Sequence, residues 1–346
     1  MKTNSQPLVS VVTPVYNGAE YLAECIESVL AQTYENWEYV IANNFSTDSS
    51  LEIAQQYAQQ DARIRVHNNK EFLNQKQNWN HALCQISAES KYCKVLHADD
   101  WLFPGCISRM VALAEANPTV GIVSSYRLVE ARVELDGLPY PSTFMPGRDI
   151  CRLNLLGGPR VFGSPTSLLI RSDIIRSRQD FYDESVIHAD TEICFDILQD
   201  HDFGFVHEVL SFTRRHNESQ TSLTHMFNTI LLGRLSNFVK YGPIYLNDKE
   251  YKNHLNKVLN HYHLFLAESI FDLKGKEFWN YHRNELEKLG HSPSVTRFLK
   301  GLFLTSLNSI NAAGRLRRAI QRKRQKTSQD TLQWDTVLSS VCSQEN

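Results

Sequence analysis

Residues 9–48 read "VSVVTPVYNGAEYLAECIESVLAQTYENWEYVIANNFSTD". The run from Leu8 to Val12 is short and rich in valine, and Thr13-Pro14 and Asn17-Gly18 then supply turn chemistry. Apolar residues next recur at helical spacing, at Tyr21, Leu22, Cys25, Ile26, Val29 and Leu30. The segment "WEYVIANN" follows as a second apolar run with strand character. This stretch therefore predicts a strand–helix–strand unit.

The same alternation continues along the chain. "RIRVHNN" predicts a third strand, residues 74–86 a helix, and "YCKVLHADD" a fourth strand. Further strands are predicted at "PTVGIVSSYRLV", "TSLLIRSDII" and "FGFVHEVLSF", with a helix at "DTEICFDILQ". Residues 134–165 are rich in Gly and Pro and predict long loops. We therefore expect an α/β fold with an open, mostly parallel sheet flanked by helices on both faces.

Composition indicates an ordinary globular protein. The chain has 346 residues, 42% of them hydrophobic and 21% charged, with a net charge of −2 that gives no argument for a nucleic-acid partner. Its seven cysteines are odd in number and never spaced CxxC, which argues against a disulfide framework or a zinc ribbon and predicts a cytoplasmic location. No apolar run is long enough to predict a transmembrane helix or a signal peptide.

The α/β pattern weakens near residue 220, and helical spacing follows. We expect an α/β domain over residues 1–220, a helical extension over residues 221–325 and a flexible tail over residues 326–346. No internal repeat is present.

Polar clusters follow three of the predicted strands, at Thr13–Asn17, Asn43–Asp48 and His97–Asp100. Ligands of such sheets bind beyond the carboxyl ends of the strands, so the three clusters are expected at one edge. The adjacent Asp99 and Asp100 repel each other unless a positive partner is present. A divalent cation, Mn²⁺ or Mg²⁺, is such a partner and prefers hard oxygen ligands. The alternative is that the pair caps the turn "WLFPG".

With these motifs in view, residues 1–220 resemble the family 2 glycosyltransferases of the GT-A fold. The resemblance rests on residues 9–48, on "NQKQNWNHALCQISAESKYCKVLHADDWLFPG" and on "FYDESVIHADTEICFDIL", in that order. It implies transfer of a sugar, with inversion, from a nucleotide-diphosphate donor to an acceptor hydroxyl. The donor implied is a UDP- or TDP-sugar, and the acceptor a glycan or a lipid-linked glycan in surface polysaccharide synthesis.

The resemblance also assigns residues to roles. The metal would be held by Asp99 and supported by Asp100, and the catalytic base would be Asp190, with Glu192 as the rival. Arg215 or His216 would contact phosphate or the metal, unless "RRHNES" is a solvated basic loop. The nucleotide-binding residues would be Thr13, Pro14, Tyr16, Asn43, Asp48, His97 and Asp99.

Four positions depart from the family pattern. His97 and Asn43 stand where relatives often have an acid, Ala189 where a Glu often precedes the base, and Phe45 where a glycine is frequent. Two other functions stay open. The first, suggested by His97, Asn43 and Ala189, is a non-catalytic sugar-nucleotide binding module. The second is a metal-dependent sugar nucleotidyltransferase, which also uses a Rossmann-like sheet and a divalent ion. The second usually carries a Gly-rich phosphate loop after the first strand, and "TPVYNGAEY" has none. The segment "GSPTSLLI" either lines the acceptor side or simply leads into a strand.

The C-terminal region carries a basic amphipathic segment. Residues 295–327 contain nine Lys or Arg and no Asp or Glu. Its apolar helical face comprises Phe298, Leu299, Leu302, Phe303, Leu307 and Ile310. Such a helix either lies on an anionic membrane as a peripheral contact or packs on the domain.

Overall fold

The computed structural model describes residues 6–215, 227–270 and 274–306. It falls into two compact units, the first ending at His254 and the second beginning at Leu255. The domain division expected near residue 220 stays a prediction.

The first half of the sheet has the predicted alternation of strands and helices. Its strands are β1 (Val9–Val15), β2 (Trp37–Asn43), β3 (Ile64–Asn68) and β4 (Tyr92–Val95). The connecting helices are α1 (Ala19–Leu30), α2 (Ser50–Gln60) and α3 (Gln75–Leu83). All three pairings within this half are parallel, with β1 between β2 and β4 and β3 beyond β2. The carboxyl ends of the four strands therefore meet at one edge.

The second half adds strands of both directions. Its elements are β5 (Trp101–Leu102), α4 (Cys106–Ala116), β6 (Val120–Val129), β7 (Arg132–Glu134), β8 (Phe144–Met145), α5 (Gly147–Leu155), β9 (Leu168–Arg171), α6 (Ser172–Arg176), α7 (Ala189–Ile197) and β10 (Asp202–Thr213). The order of the sheet is β3-β2-β1-β4-β9-β6-β10-β5, with β7 beside β6 and β8 beside β10. Strands β6 and β10 are parallel, but β9 is antiparallel to both β4 and β6. This half is thus mixed, whereas the alternation of elements predicts a mostly parallel sheet.

The antiparallel direction of β9 has a consequence for the functional edge. Because β9 runs antiparallel to β4 and begins near the end of that strand, the residues just before β9 lie at the carboxyl edge of the sheet. One of them is Thr166, in the 3₁₀ turn Pro165–Ser167.

Strand β8 and helix α5 lie in a segment that is predicted as loop. Helix α5 occupies part of residues 134–165 and buries Ile150, Cys151 and Leu155. Pro146 and Gly147 stand at the beginning of this helix, where proline is tolerated, and do not interrupt it.

The core of the first unit joins the sheet to its helices. It includes Val9, Val11, Val15, Tyr39 and Ile41 of the strands, packed with Leu22, Cys25, Ile26, Val29 and Ala54 of α1 and α2. Each large apolar side chain buried here contributes roughly 1.5–3 kcal/mol relative to exposure.

Helices follow in the remainder of the described chain: α8 (Ile230–Tyr245), α9 (Asp248–Glu268), α10 (Lys276–Lys288) and α11 (residues 295–306). The second unit buries a cluster of Tyr262, Phe265, Phe278 and His282, in which the Tyr262 hydroxyl lies 2.6 Å from His282 Nδ1. Within the described ranges, no helix is both long enough and apolar enough to cross a bilayer.

A buried carboxylate connects β2 to its neighbours. Glu38 accepts hydrogen bonds from Ser10 Oγ at 2.5 Å, from Ser87 N at 2.7 Å and from Arg65 Nη2 at 2.7 Å. Burial raises the pKa of Glu38, but these hydrogen bonds outweigh it and hold the pKa below its ordinary value. Folding therefore favours the ionised form of this group.

We expect Glu38→Gln to lower the free energy of unfolding by about 2 kcal/mol at pH 7, because the amide cannot accept all of these hydrogen bonds. A lowered folded-state pKa gives stability that is full above the unfolded-state pKa, about 4.3, and is lost as the pH falls through the folded value. The difference between wild type and variant should therefore shrink below that pH. Urea unfolding at pH 7 and pH 4 measures the difference in free energy of unfolding between wild type and Glu38→Gln. The exposed Glu52→Gln is the control. A difference independent of pH would contradict the assignment.

Candidate functional site

The parallel register brings the three predicted polar clusters to one edge of the sheet. Val15 at the end of β1 pairs with Asn43 at the end of β2, and Asn43 pairs with Asn68 of β3. On the other side of β1, Val12 pairs with Val95, the last residue of β4. The residues that follow these strands are therefore neighbours in space, although they come from distant parts of the sequence.

The turn after β4 holds a cluster of three side chains that could ligate a metal ion. His97, Asp99 and Asp100 each offer one ligand atom, and these atoms all lie within 4.8 Å of one another. The turn is closed by a hydrogen bond of 3.0 Å from Asp100 N to His97 O. Leu96 N donates to Val12 O at 2.9 Å, which fixes the turn to β1.

Asp100 is the buried member of this cluster, with 2% of its surface exposed. Its Oδ2 accepts from Thr166 Oγ1 at 2.6 Å, and its Oδ1 accepts from Arg214 N at 3.0 Å. Burial raises the pKa of Asp100 to about 6, with His97 opposing the increase and the charge of Asp99 contributing to it. An added cation would offset this electrostatic cost.

His97 stands at the other end of the turn. Its ring stacks on Trp79 of α3, with 5.1 Å between ring centroids, and its Nε2 is buried with no hydrogen-bond partner in the described part of the chain. Two carboxylates and an imidazole form a donor set that fits a divalent ion such as Mn²⁺, for which both oxygen and imidazole nitrogen are suitable. On donor chemistry, the residues fit the cation that the sequence implies.

The residues at the end of β1 differ in their exposure to solvent. Thr13 is fully buried, with its hydroxyl 2.8 Å from that of Tyr39, and Pro14 is buried beside it. Tyr16 is half exposed and meets Phe72, which follows β3, with their ring centroids 4.8 Å apart. Of these three predicted nucleotide-binding residues, only Tyr16 is exposed to solvent.

Asn43 and Asp48 follow β2. Asn43 is buried, its Nδ2 donates to Asn68 Oδ1 at 2.7 Å, and its Oδ1 has no donor among the residues described. Asp48 accepts from Ala19 N and Ser50 N, each at 3.0 Å, and so joins the beginnings of α1 and α2. Burial raises the pKa of Asp48, but the hydrogen bonds from Ser50 and Ala19 outweigh it and lower the pKa.

Phe45 has a backbone φ of +58°. This left-handed region favours glycine, the residue that the family resemblance leads us to expect there. Its side chain is half exposed at the same edge of the sheet.

Helix α7 carries the two candidate bases. Asp190 lies in its first turn, partly exposed, and its Oδ1 accepts from Thr191 N at 2.9 Å. Glu192 is 5% exposed and forms an ion pair with Lys240 of α8, with the Tyr241 hydroxyl 3.5 Å away. Glu192 and Lys240 also line a cleft of about 690 Å³ beside α7.

Helix α3 connects the turn at residues 97–100 to the segment before α7. Trp79 contacts both His97 and Tyr182, and Asn80 exchanges two hydrogen bonds with the Tyr182 backbone, at 2.8 and 2.9 Å. Lys76 Nζ donates to Glu184 O at 2.9 Å. Burial lowers the pKa of Lys76, an effect that nearby carboxylates, Asp190 among them, oppose. The two parts of the predicted site therefore share one supporting helix.

The basic stretch after β10 is only partly described. Arg215 N donates to Glu130 Oε1 at 2.9 Å, and its guanidinium pairs with Glu134 at 3.0 Å. His216 lies outside the described residues. Its predicted contact with phosphate or metal stays a prediction.

Sequence reasoning does not find three contacts of the turn at residues 97–100. These contacts are made by Trp79, Thr166 and Arg214. The Nε of Arg214 donates to Asp99 O at 3.3 Å. The only sequence signal for Thr166 is its place in "GSPTSLLI". Trp79 lies in "NQKQNWNHAL" and Arg214 in "RRHNES", but neither motif predicts these particular contacts.

Solved structures with a similar fold include S. aureus TarS, residues 1–349, in complex with UDP. The likeness has a TM-score of 0.59 at 17% identity and covers 81% of this chain and 79% of that one. A mannosyltransferase of Pyrobaculum calidifontis in complex with GDP-mannose and Mn²⁺ gives a TM-score of 0.56 at 16% identity, covering 90% and 81%. These likenesses confirm the expected GT-A fold.

The sequence comparisons identify the family. The family model "Glycosyl transferase family 2" matches residues 10–178. An uncharacterized glycosyltransferase of Rickettsia typhi is 30% identical over 228 residues, which cover 64% of this chain and 69% of that protein. Matches to three further curated glycosyltransferases cover 55 to 64% of those proteins' lengths. The chain belongs to glycosyl transferase family 2.

Proposed function

We propose that the protein transfers a sugar from a nucleotide-diphosphate donor to a hydroxyl group of a glycan or lipid-linked acceptor, with inversion at the anomeric carbon. The observation that carries this proposal is the cluster of His97, Asp99 and Asp100 at the strand edge that also holds Asn43 and Tyr16. Family membership supports it. A divalent cation held by Asp99 and supported by Asp100, with His97 as a further donor, would stabilise the negative charge of the departing diphosphate.

Asp190 is the proposed base. Its carboxylate accepts the proton of the acceptor hydroxyl while that oxygen forms a bond to the anomeric carbon and the bond to the diphosphate breaks. Its partly exposed place in the first turn of α7 supports this role. Glu192 is the weaker candidate, because its buried carboxylate is already paired with Lys240.

The proposed donor base is uracil or thymine. Asn43 Oδ1 has no donor in the described residues, and the N3–H of either base is a donor of the matching kind. The structure of TarS was solved in complex with UDP, whereas that of the mannosyltransferase was solved in complex with GDP-mannose. The choice of base therefore needs a direct test.

Calorimetric titration of UDP, TDP and GDP, each with and without Mn²⁺, tests the proposal. We expect UDP or TDP to bind more tightly with Mn²⁺ than without it. Asp99→Ala should weaken binding in Mn²⁺ by about 10-fold or more, since it removes a charged oxygen ligand. Glu208→Ala, which removes a half-exposed carboxylate paired with Arg109, is the control and should bind like wild type. If none of the three nucleotides binds under either condition, the proposal is wrong.

Turnover distinguishes the two carboxylates of α7. Asp190→Asn should lower kcat by about 10²- to 10⁴-fold, the usual contribution of a general base, while the affinity for UDP and Mn²⁺ stays near wild type. Glu192→Gln should retain most of kcat and lower the melting temperature, because Lys240 then has no anionic partner. The measurement is hydrolysis of the donor sugar and its transfer to an acceptor panel.

The opposite pattern, with Glu192→Gln inactive and Asp190→Asn active, would assign the base to Glu192. Nucleotide binding without hydrolysis or transfer in the wild type would favour a non-catalytic sugar-nucleotide binding module.

We further propose that α11 mediates a peripheral membrane contact. Val295, Leu299 and Phe303, spaced four residues apart, are 71%, 57% and 65% exposed and thus leave an apolar stripe open. Arg297 and Lys300 lie on the same helix, and each basic residue near an anionic surface contributes about 1 kcal/mol. The basic segment 307–327 lies outside the described residues. A cytoplasmic location is also proposed, supported by the free thiols of all six cysteines in the described chain.

Sedimentation with vesicles of phosphatidylcholine and phosphatidylglycerol tests the contact. We expect binding to anionic vesicles that falls with salt, and a reduced bound fraction for Phe303→Asp, because a charge on the apolar stripe opposes insertion. Val133→Asp makes the same change at a similarly exposed position of β7 and should bind like wild type. Equal binding by both variants would contradict the role of α11.

A further inference from the structure

Lys94 is a fully buried lysine in β4, three residues before His97. Its ammonium group donates to Thr166 O at 2.6 Å and lies 3.6 Å from Met110 Sδ. Lysine is almost never fully buried unless it is paired, because its charge loses hydration. The hydrogen bond from this buried lysine to a single backbone carbonyl indicates that the lysine holds that carbonyl, and with it Thr166, in place.

Thr166 is the residue that Lys94 holds, and it is also fully buried. Its Oγ1 donates to Asp100 Oδ2 at 2.6 Å and accepts from His97 N at 3.3 Å. One hydroxyl thus contacts both ends of the turn at residues 97–100. The donor and acceptor roles are consistent, since the hydroxyl gives its one proton to Asp100 and receives one from His97 N.

Asp100 has protein donors on both carboxylate oxygens. Oδ2 accepts from Thr166, with Thr213 Oγ1 at 3.4 Å, and Oδ1 accepts from Arg214 N. These bonds fix Asp100 in a buried position. The turn between His97 and Asp100 is therefore fixed at both ends, and Asp99 lies within it.

We propose that Lys94 and Thr166 are positioning residues, a buried hydrogen-bond chain that holds Asp100 and His97 so that the turn presents its ligands to a divalent cation. The inference rests on the proposed function, which supplies the cation. Partners of metal ligands orient them, and their loss typically lowers metal affinity by about 10- to 100-fold. In this arrangement Thr166 acts through Asp100 and His97 and does not touch the cation.

The test is the affinity for Mn²⁺, measured by electron paramagnetic resonance with and without excess UDP. Thr166→Val keeps the shape of the side chain and removes the hydroxyl, and it should bind Mn²⁺ about 10- to 100-fold more weakly. Thr166→Ser retains the hydroxyl and should stay close to wild type. Lys94→Met should also weaken Mn²⁺ binding, because Thr166 O loses its donor.

Ser167→Ala is the matched control. Ser167 lies in the same 3₁₀ turn and is equally buried, but its Oγ has no hydrogen-bond partner in the described chain. It should leave Mn²⁺ affinity unchanged, which separates a specific effect of the Thr166 hydroxyl from a general disturbance of the turn. Near-ultraviolet circular dichroism confirms that each variant is folded.

The outcomes separate the positioning role from the proposed function. Wild-type Mn²⁺ affinity in Thr166→Val, or equal losses in Thr166→Val and Thr166→Ser, would overturn the positioning role and leave the proposed function standing. If the wild type binds neither Mn²⁺ nor UDP, both fail. If Lys94→Met does not fold, the Thr166 variants alone decide the result.

Discussion

The parallel pairing of β1 with β2 and β4 is the constraint on which the functional edge depends. It sets the ends of three strands side by side, so that residues separated by dozens of positions become neighbours. A register shift of one residue would turn every side chain of a strand to the other face, and the buried hydrogen bond from Ser10 of β1 to Glu38 of β2 opposes such a shift. The buried Val11 and Tyr39, which are paired across the two strands, therefore act on the position of Asn43 and of the turn after β4.

Sequence reasoning succeeds where the signal is local. The periodicity of residues 9–48 specifies β1, α1 and β2, and strand ends in such a sheet indicate where ligands bind. The cluster of His97, Asp99 and Asp100 is likewise visible as adjacent letters. These predictions need only the pattern of neighbouring residues and the general rules of α/β sheets.

Contacts across long separations are not available to that reasoning. The hydrogen bond from Thr166 to Asp100 spans 66 positions, and the ion pair of Lys240 with Glu192 spans 48. The first depends on β9 running antiparallel, which no local pattern specifies, and the second on how α8 packs against α7. Helix α5 is missed for a different reason, since Pro146 and Gly147 resemble loop residues although they only begin a helix.

The departures from the family pattern have different structural settings. Phe45 adopts the left-handed backbone that its family glycine would adopt freely, a strained arrangement that the surrounding structure must hold in place. His97, in contrast, gains a neighbour that an acid would not attract, because its ring stacks on Trp79. The indole of Trp79 is an intrinsic fluorophore, and its contact with His97 places it at the border of the candidate site. Trp79 is one of five tryptophans, and its contribution to the protein's emission responds to the surroundings of His97 with no label added.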